Sequence, residues 1–331
     1  MSFSLTDLAR DYGDIIGEAA VCRKSAAVFD FSFMSRVRVA GPYALAAVQT
    51  LTQRNLSDLS VGRLRYCLRQ TSSGHVAVDL TIWRVGTDTF EVMSGRHQDI
   101  ANLLALAPAA TDLSDACVIY ALQGPNSLDV LSEFADRAAL AELPYFGCTE
   151  VHVIGVPCLV GRLGYTGEAG FEIIAPKQSA TELWNALTKR VPPAGFAAAD
   201  ILRIEAGFIL FANELSLPVK AHELGLATFS GEAEVRENVP ISLVAFTAEA
   251  DTRPVLWQPH AEVRRPQRPG EITVTSACWS PLVGAILGLG YACTTDEGAS
   301  LRDENGVFHE IRRIERPYYD PQKLRPRAPW R

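Results

Sequence analysis

A short glycine-rich stretch holds the side chains of this chain that are best placed to do chemistry. Positions 161–174 read Gly-Arg-Leu-Gly-Tyr-Thr-Gly-Glu-Ala-Gly-Phe-Glu-Ile-Ile, with glycine at every third position at the start. Glycine lets a backbone enter the left-handed region and approach a ligand closely. The stretch also carries a phenol, Tyr165, and two carboxylates, Glu168 and Glu172. Spacing alone fits an ordinary hairpin connection better than a binding loop, because loops of this type are common.

The residues around this stretch predict the elements that position it. Apolar runs at 151–154, 158–160 and 171–174 are separated by the turn 155–157 and by the glycine-rich loop. Short apolar runs bounded by glycine and proline are typical of β-strands. The loop is therefore expected to join two strands of a sheet.

Two more charged side chains complete a candidate polar cluster. Asp79 lies in a predicted strand over 76–83, and Arg203 lies on a predicted helix over 197–210. The cluster then comprises Asp79, Tyr165, Glu168, Glu172 and Arg203. For Arg203 the alternative is an ion pair with a neighbour on its own helix, which is the usual fate of such a residue.

Composition and charge exclude several classes of function. The 331 residues are enough for two or three domains, and a net charge of −7 argues against general nucleic-acid binding. The seven cysteines and six histidines stand singly, so we expect no disulfide framework and no metal site. No run reaches the roughly 18 apolar residues of a membrane helix, and no signal-peptide pattern opens the sequence. We therefore expect a cytoplasmic protein that binds neither membranes nor nucleic acid.

Three common catalytic motifs are missing from the sequence. It contains no Gly-x-Gly-x-x-Gly, no Gly-x-x-x-x-Gly-Lys-[Ser/Thr] and no Gly-x-Ser-x-Gly. Hydride transfer with a bound dinucleotide, hydrolysis of nucleoside triphosphates and triad hydrolysis therefore lose support.

The order of predicted elements indicates an internal duplication. An apolar strand, a Gly-Pro pair and a helix occur at 37–51 and again at 118–134. From residue 241 onward the sequence changes to short strands with Gly and Pro turns, which predicts a small antiparallel barrel or sandwich. The other predicted elements are helices over 1–28, 97–106, 127–140 and 179–190, strands over 262–264, 271–275, 287–291 and 308–312, and a surface tail over 316–331.

These segments together resemble the glycine-cleavage T-protein (aminomethyltransferase) family of folate-dependent one-carbon transferases and demethylases. Residues 162–173 are the most specific match, close to the family's Arg-x-Gly-Tyr-Thr-Gly-Glu-x-Gly-Phe-Glu. Further segments agree in order and spacing: 28–32 with Phe-Asp-x-Ser, 62–80 with a Tyr…Gly-x-x-x-Asp-Asp-Leu strand pair, 122–125 with a Gln-Gly-Pro turn, 202–207 with Leu-Arg-x-Glu-x-Gly, and 275–281 and 317–321 with the C-terminal domain. The resemblance covers roughly residues 20–331.

The resemblance implies an α+β fold of three domains arranged around a central hole. Two of them would be α+β domains with antiparallel sheets, and the third a C-terminal β-barrel or jelly-roll-like domain. The first folate-binding domain would be discontinuous and span 1–45 and 142–238, the second would span 46–141, and the β-barrel domain 239–331. The implied cofactor is tetrahydrofolate, and we expect a monomer or weak dimer.

The same resemblance implies a role for each site residue. Glu172 would hold the pterin, because the 2-amino group and the ring N–H form a donor pair that a carboxylate accepts with both oxygens. Tyr66 and Tyr165 would line the site, and Arg203 would bind acceptor atoms of the ligand. Asp79 would be the catalytic residue, which orients the ligand and stabilises a cationic centre during one-carbon transfer.

The sequence departs from the family pattern at several positions. Val78 replaces the first of two paired aspartates, Phe33 replaces a histidine, and the segment 229–231 lacks the family's lysine. These changes make a lipoyl carrier protein a doubtful partner and leave the one-carbon donor open. The resemblance predicts a tetrahydrofolate-dependent one-carbon (methyl, methylene or aminomethyl) transferase or demethylase that acts on a small-molecule donor. The alternative is a folate-binding or regulatory protein without turnover.

Overall fold

The computed structural model of the chain divides into two compact units. The first consists of Met1–Arg69, Val78–Ala199 and Lys323–Arg331, and the second of Gln70–Ala77 and Asp200–Gln322. The described residues are 8–95, 101, 104–105, 110–231, 241–249, 265–267, 272–293, 300–302 and 308–330. None of the helices in these ranges is long and apolar enough to cross a membrane. The three-domain division stays a prediction.

The helices in the described ranges are short, and aspartate side chains cap two of them. Within the described ranges the α-helices are α1 Ile15–Lys24, α2 Ala44–Gln49, α3 Ser127–Ser132, α4 Arg137–Ala141, α5 Ala180–Thr188 and α6 Phe196–Glu205. The predicted helix over 1–28 is wrong in its bounds, because Asp14 caps α1 and a strand begins at Ala27. The predicted helix over 127–140 is divided in two, since Asp136 caps a second helix.

In the described parts of the chain, the strands form three five-stranded sheets. The strands are β1 Ala27–Asp30, β2 Ser35–Ala40, β3 Arg63–Gln70, β4 Val76–Gly86, β5 Thr89–Ser94, β6 Ala110–Asp112, β7 Cys117–Gln123, β8 Cys148–Val153, β9 Val156–Gly161, β10 Gly170–Pro176, β11 Ile241–Ala248, β12 Ile272–Ser280, β13 Ala285–Cys293, β14 Ser300–Arg302 and β15 Phe308–Ile314. Antiparallel sheets with helices beside them, and a β-rich C-terminal part, confirm the predicted α+β class.

The two sheets built from β1 to β10 repeat one arrangement. Their strand orders are β3-β4-β5-β2-β6 and β8-β9-β10-β7-β1. In each sheet three consecutive strands form a meander, β3 to β5 or β8 to β10. The last strand of the meander pairs with the strand that comes before the meander in the chain, β2 or β7. A short edge strand completes each sheet: β6 pairs with β2, and β1 pairs with β7. Each edge strand therefore comes directly before one repeat in the chain and joins the sheet of the other. The structure thus supports the predicted duplication. We call residues 35–94 the first repeat and residues 117–176 the second repeat.

Alternation along the strands places the candidate carboxylates away from the cores. Phe171 and Ile173 of β10 belong to an apolar cluster with side chains of α3 and α5. Glu172 lies between them and therefore points to the opposite face of the sheet. Both sequence neighbours of Asp79 in β4 belong to a second apolar cluster, so Asp79 also lies on the face opposite its core.

The third sheet, of order β12-β13-β11-β15-β14, contains the strands predicted over 271–275, 287–291 and 308–312. Strand β14 is not predicted by the sequence pattern, and it is only three residues long. The predicted strand over 262–264 lies outside the described residues. Most of the predicted helix over 97–106 also lies outside them.

Candidate functional site

Glu172 occupies the centre of the second repeat's sheet. Its cross-strand partners are Ala121 on β7 and Gly161 on β9, which present only a methyl group and a hydrogen at these two positions. A Cβ built on Gly161 would come within 2.3 Å of the Trp83 ring. The fully buried indole of Trp83 therefore lies over Gly161. The first repeat thus contributes an aromatic wall to the strand that neighbours Glu172.

The buried Glu172 carboxylate has no hydrogen-bond or ion-pair partner among the described residues. The residue is 6% exposed. Burial raises the pKa of Glu172 from 4.5 to about 7, because the charged form loses hydration and gains no donor in return. A ligand that brings N–H donors to such an acceptor gains free energy.

A phenol that no motif includes lies in the same electrostatic environment. Burial raises the pKa of Tyr145 to about 12, and the charges of Arg327, Glu172 and Arg162 also act on it. Its ring packs edge-on against Phe146 with the centroids 4.7 Å apart. Only the fold brings Tyr145 into the surroundings of Glu172, so the sequence pattern gives no signal for it.

Gln123 holds the glycine-rich loop in place. Its amide nitrogen donates to the carbonyls of Leu163 and Phe171 at 3.1 and 3.3 Å, and its oxygen accepts from the Thr166 hydroxyl at 3.1 Å. The approach is so close that a Cβ on Gly164 would lie 1.7 Å from the Gln123 oxygen. The Gln-Gly-Pro turn in the sequence indicates this role of Gln123. The loop glycines allow the close approach of its side chain.

Glu168 fixes the loop and Tyr165 stays accessible within it. Glu168 is 2% exposed and forms ion pairs with Arg23 on α1 at 3.2 Å and with Arg325 in the C-terminal tail at 3.0 Å. Both of its oxygens therefore have cationic partners. Tyr165 is half-buried.

Asp79 and Tyr66 form a hydrogen-bonded pair in the first repeat. The Tyr66 hydroxyl on β3 donates to Oδ2 of Asp79 on β4 at 3.1 Å, and both residues are half-buried. Arg54 donates to the backbone carbonyl of Tyr66 at 2.6 Å. Residues four apart in a strand share a face, so Asp79 lies on the same face of β4 as Trp83. The pair and the indole over Gly161 therefore belong to one surface of the first repeat.

Arg203 lies in the second unit among polar partners. Its Nε donates to Asp200 at 2.6 Å, and its Nη1 donates to Glu214 at 2.8 Å and to the Phe208 carbonyl at 3.1 Å. Its Nη2 donates to the Ser276 hydroxyl at 2.5 Å, and the side chain is 0% exposed. Asp200 is the helix neighbour that the alternative interpretation requires. A direct contact between Arg203 and a ligand stays a prediction.

The structure brings the predicted site residues together only in part. Tyr66 and Asp79 contact each other, Tyr165 and Glu172 lie at the loop and the strand that follows it, and Arg203 belongs to the other unit. Within the described ranges, no group of three or more His, Cys, Asp or Glu side chains could hold a metal ion. The candidate site therefore combines the half-buried Tyr66–Asp79 pair with the buried Glu172 carboxylate.

Comparison with known proteins identifies the class to which this fold and site belong. The sequence matches the family described as GCVT N-terminal domain over residues 3–231. It is 32% identical over 340 aligned positions to the aminomethyltransferase of Streptomyces avermitilis, covering 96% of this chain and 90% of that protein. It is 28% identical over 363 positions to the aminomethyltransferase of Corynebacterium jeikeium, covering 96% and 93%.

A solved structure agrees with these relatives. The crystal structure of the glycine cleavage system aminomethyltransferase T from Bartonella henselae matches with a TM-score of 0.77 at 25% identity, covering 95% of this chain and 92% of that chain. The chain belongs to the glycine-cleavage T-protein family, which confirms the resemblance. It is an aminomethyltransferase-like enzyme.

Proposed function

We propose that this chain is a tetrahydrofolate-dependent one-carbon transferase or demethylase in which Glu172 anchors the reduced pterin. The observation that carries the proposal is the buried Glu172 carboxylate, which has no protein partner among the described residues. The aminomethyltransferase names of the relatives support the reaction class. The chemistry of the open acceptor supports the cofactor.

The residues of the second repeat fit a reduced pterin. The 2-amino group and the ring N–H of the pterin present two donors side by side, and a carboxylate accepts both in a charge-assisted contact. The small cross-strand neighbours Ala121 and Gly161 have no hydrogen-bonding side chain that could occupy the Glu172 carboxylate. Tyr165 and Tyr66 would add aromatic faces and hydroxyl groups. Tetrahydrofolate, when bound, supplies the nitrogen that takes the one-carbon unit.

Asp79 is the catalytic residue of this proposal. The hydrogen bond from Tyr66 orients its carboxylate. An ionised carboxylate stabilises positive charge that develops on a reacting amine. Val78 is fully buried in the apolar cluster behind β4, so this departure from the family pattern removes no acid from the face that carries Asp79.

The one-carbon donor would be a small molecule with a methyl or methylene group on an amine, a sulfonium or an aryl ether. A folate-binding protein without turnover is the less favoured alternative, because the Tyr66–Asp79 pair is present and the relatives are named as enzymes. The family acts with a lipoyl carrier protein, so an aminomethyl-loaded carrier belongs among the donors to be tested.

Calorimetric titration with tetrahydrofolate tests the binding claim. We expect the wild-type protein to bind and Glu172→Ala to lose about 100-fold in affinity, because a charge-assisted donor pair is lost. Glu150→Gln changes an exposed carboxylate on β8 of the same sheet and serves as the matched control. Undiminished binding by Glu172→Ala would refute the pterin anchor.

A donor screen separates the transferase from a binding protein. Each donor class, including the aminomethyl-loaded carrier, is incubated with tetrahydrofolate and the product is detected as methyl- or methylene-tetrahydrofolate. We expect one class to give product with the wild type and none with Asp79→Asn. Binding of folate without product from any class would favour the alternative.

A further inference from the structure

The C-terminal tail returns to the first unit after the chain has passed through the second. Residues 323–330 form turns without helix or strand, and Leu324, Arg325 and 327–329 are exposed. The tail therefore lies on the surface as predicted. It has no core of its own, so contacts with other residues must hold it.

The tail contacts the start of the glycine-rich loop. Arg162, which follows Gly161, is 4% exposed and donates through Nη2 to the backbone carbonyls of Pro326 and Ala328. Its guanidinium lies 4.5 Å from the centroid of the Trp330 ring. A cation over an aromatic face adds electrostatic attraction to the packing. The first turn of the loop is thus tied to the tail at three points.

The tail also contacts the middle and the end of the loop. Nε of Arg325 pairs with Glu168 at 3.0 Å. Trp330 stacks on Phe171 with the centroids 5.1 Å apart and the planes 19° from parallel. Phe171 immediately precedes Glu172, so this stack fixes the strand at the residue before the open carboxylate.

We propose that segment 323–330 is a positioning element that holds the glycine-rich loop and β10 in the geometry in which Glu172 meets its ligand. A glycine-rich segment loses much conformational freedom when it is ordered. Ordering it before the ligand arrives lowers the cost of binding. Arg327, 6.0 Å from the centroid of Tyr145, extends the contact to the second phenol. The inference rests on the proposed function, and the tail residues act through the loop.

Two buried donors at the contact between the tail and the loop reduce the stability of docking. Arg162 Nε and Trp330 Nε1 are buried and have no hydrogen-bond partner among the described residues, and each such group costs free energy. A single substitution in the tail is therefore expected to release it while the cores of the first unit stay folded.

Hydrogen–deuterium exchange and calorimetry on the full chain test the proposal. Trp330→Ala and Arg325→Gln are expected to raise amide exchange over 163–170 and to weaken tetrahydrofolate binding about 10-fold, through lost preorganisation. Trp330→Phe and Arg325→Lys should restore most of both properties. The control Arg190→Gln breaks an exposed ion pair with Glu133 in the same unit and should change neither.

The outcomes separate this inference from the proposed function. If the wild type does not bind tetrahydrofolate, the proposed function fails, while loop exchange still reports on the tail. If the wild type binds and Trp330→Ala binds equally tightly, the positioning role is overturned. A rise in exchange spread evenly over the first unit would indicate a merely structural role and would also overturn it.

Discussion

Glu91 and Glu172 occupy equivalent positions in the two repeats, yet among the described residues only Glu91 has ion-pair partners. Each follows a phenylalanine in the last strand of a meander, in Phe-Glu-Val-Met of β5 and in Phe-Glu-Ile-Ile of β10. Glu91 stands between Arg38 on β2 and Trp83 on β4. It is fully buried and accepts hydrogen bonds from both Arg36 and Arg38, at distances between 2.5 and 3.0 Å.

The second repeat keeps the carboxylate and lacks its donors. Ile119 and Ala121 take the two arginine positions, and Gly161 takes the position of the tryptophan. Neither cross-strand neighbour of Glu172 therefore carries a charge or a large side chain, and no described residue forms an ion pair with it. The same glutamate thus forms an ion pair in one sheet and, among the described residues, lacks one in the other. The residues at its neighbouring positions make the difference.

Removal of the closed pair should give the largest change in stability. Glu91→Gln leaves the Arg36 guanidinium buried without its counter-charge, and we expect a loss of about 3–5 kcal/mol in the free energy of unfolding. Denaturant unfolding measures it, with the exposed Glu150→Gln as control. A stability equal to that of the control would show that the first repeat does not need its ion pair.

Copying the first repeat's arginine into the second should close the site. Ala121→Arg is expected to pair with Glu172 and to lower tetrahydrofolate affinity about 100-fold, because the acceptor is then occupied by a protein donor. It should also lower the pKa of Glu172. Ala121→Met, similar in length and uncharged, distinguishes ion pairing from added volume, since it should leave that pKa raised. Full affinity in Ala121→Arg would contradict the role of Glu172.

Glu172→Gln should raise the free energy of unfolding at alkaline pH, whereas Glu91→Gln should lower it. The pKa of Glu172 rises from 4.5 to about 7 on folding, so its favourable contribution is complete below pH 4.5 and is lost as pH rises through about 7. Glu172→Gln should therefore be more stable than wild type at about pH 8, by roughly 2–3 kcal/mol, and similar to it at the acid end.

Unfolding by urea across this pH range checks the sign of the Glu172→Gln effect. A variant that is less stable than wild type at the alkaline end would show that Glu172 has a protein donor. Equal effects of Glu172→Gln and Glu91→Gln would remove the distinction between the two repeats.

Substitution of Arg38, the more exposed partner of Glu91, should change the free energy of unfolding least. The Arg38 side chain is 43% exposed, whereas that of Arg36 is 11% exposed, so solvent screens the Arg38 pair and Arg36 still neutralises Glu91. We expect Arg38→Gln to cost less than about 1 kcal/mol by the same unfolding assay. A loss as large as that of Glu91→Gln would assign the pair's stability to Arg38.

Short-range patterns in the sequence predict where the carboxylates lie. Strand alternation places Glu172 and Asp79 opposite their cores, and the recurring Gly-Pro pairs indicate the duplication. The partners of each charge depend on contacts between distant residues, which no local pattern encodes. Glu168 is paired by Arg23 and Arg325, and these lie on opposite sides of it in the chain, 145 and 157 residues away.

The surroundings of Arg203 show the same limit. Its helix and its Leu-Arg-x-Glu-x-Gly motif are readable in the sequence, but the partners Glu214 and Ser276 come from a later turn and from β12. The start of α1 is also not predicted by the local pattern. Helical spacing of apolar residues continues before Asp14, but the Asp14 cap decides where the helix begins.

Proton release on ligand binding tests the central claim most directly. At about pH 6.5 a carboxyl group with a pKa of about 7 is largely protonated, and binding of a donor pair favours its ionised form. Titration with tetrahydrofolate in two buffers of different ionisation enthalpy measures the protons released. We predict that the wild type releases a large fraction of one proton more than Glu172→Gln does. Equal release by the two proteins would contradict the assignment of Glu172 as the open acceptor.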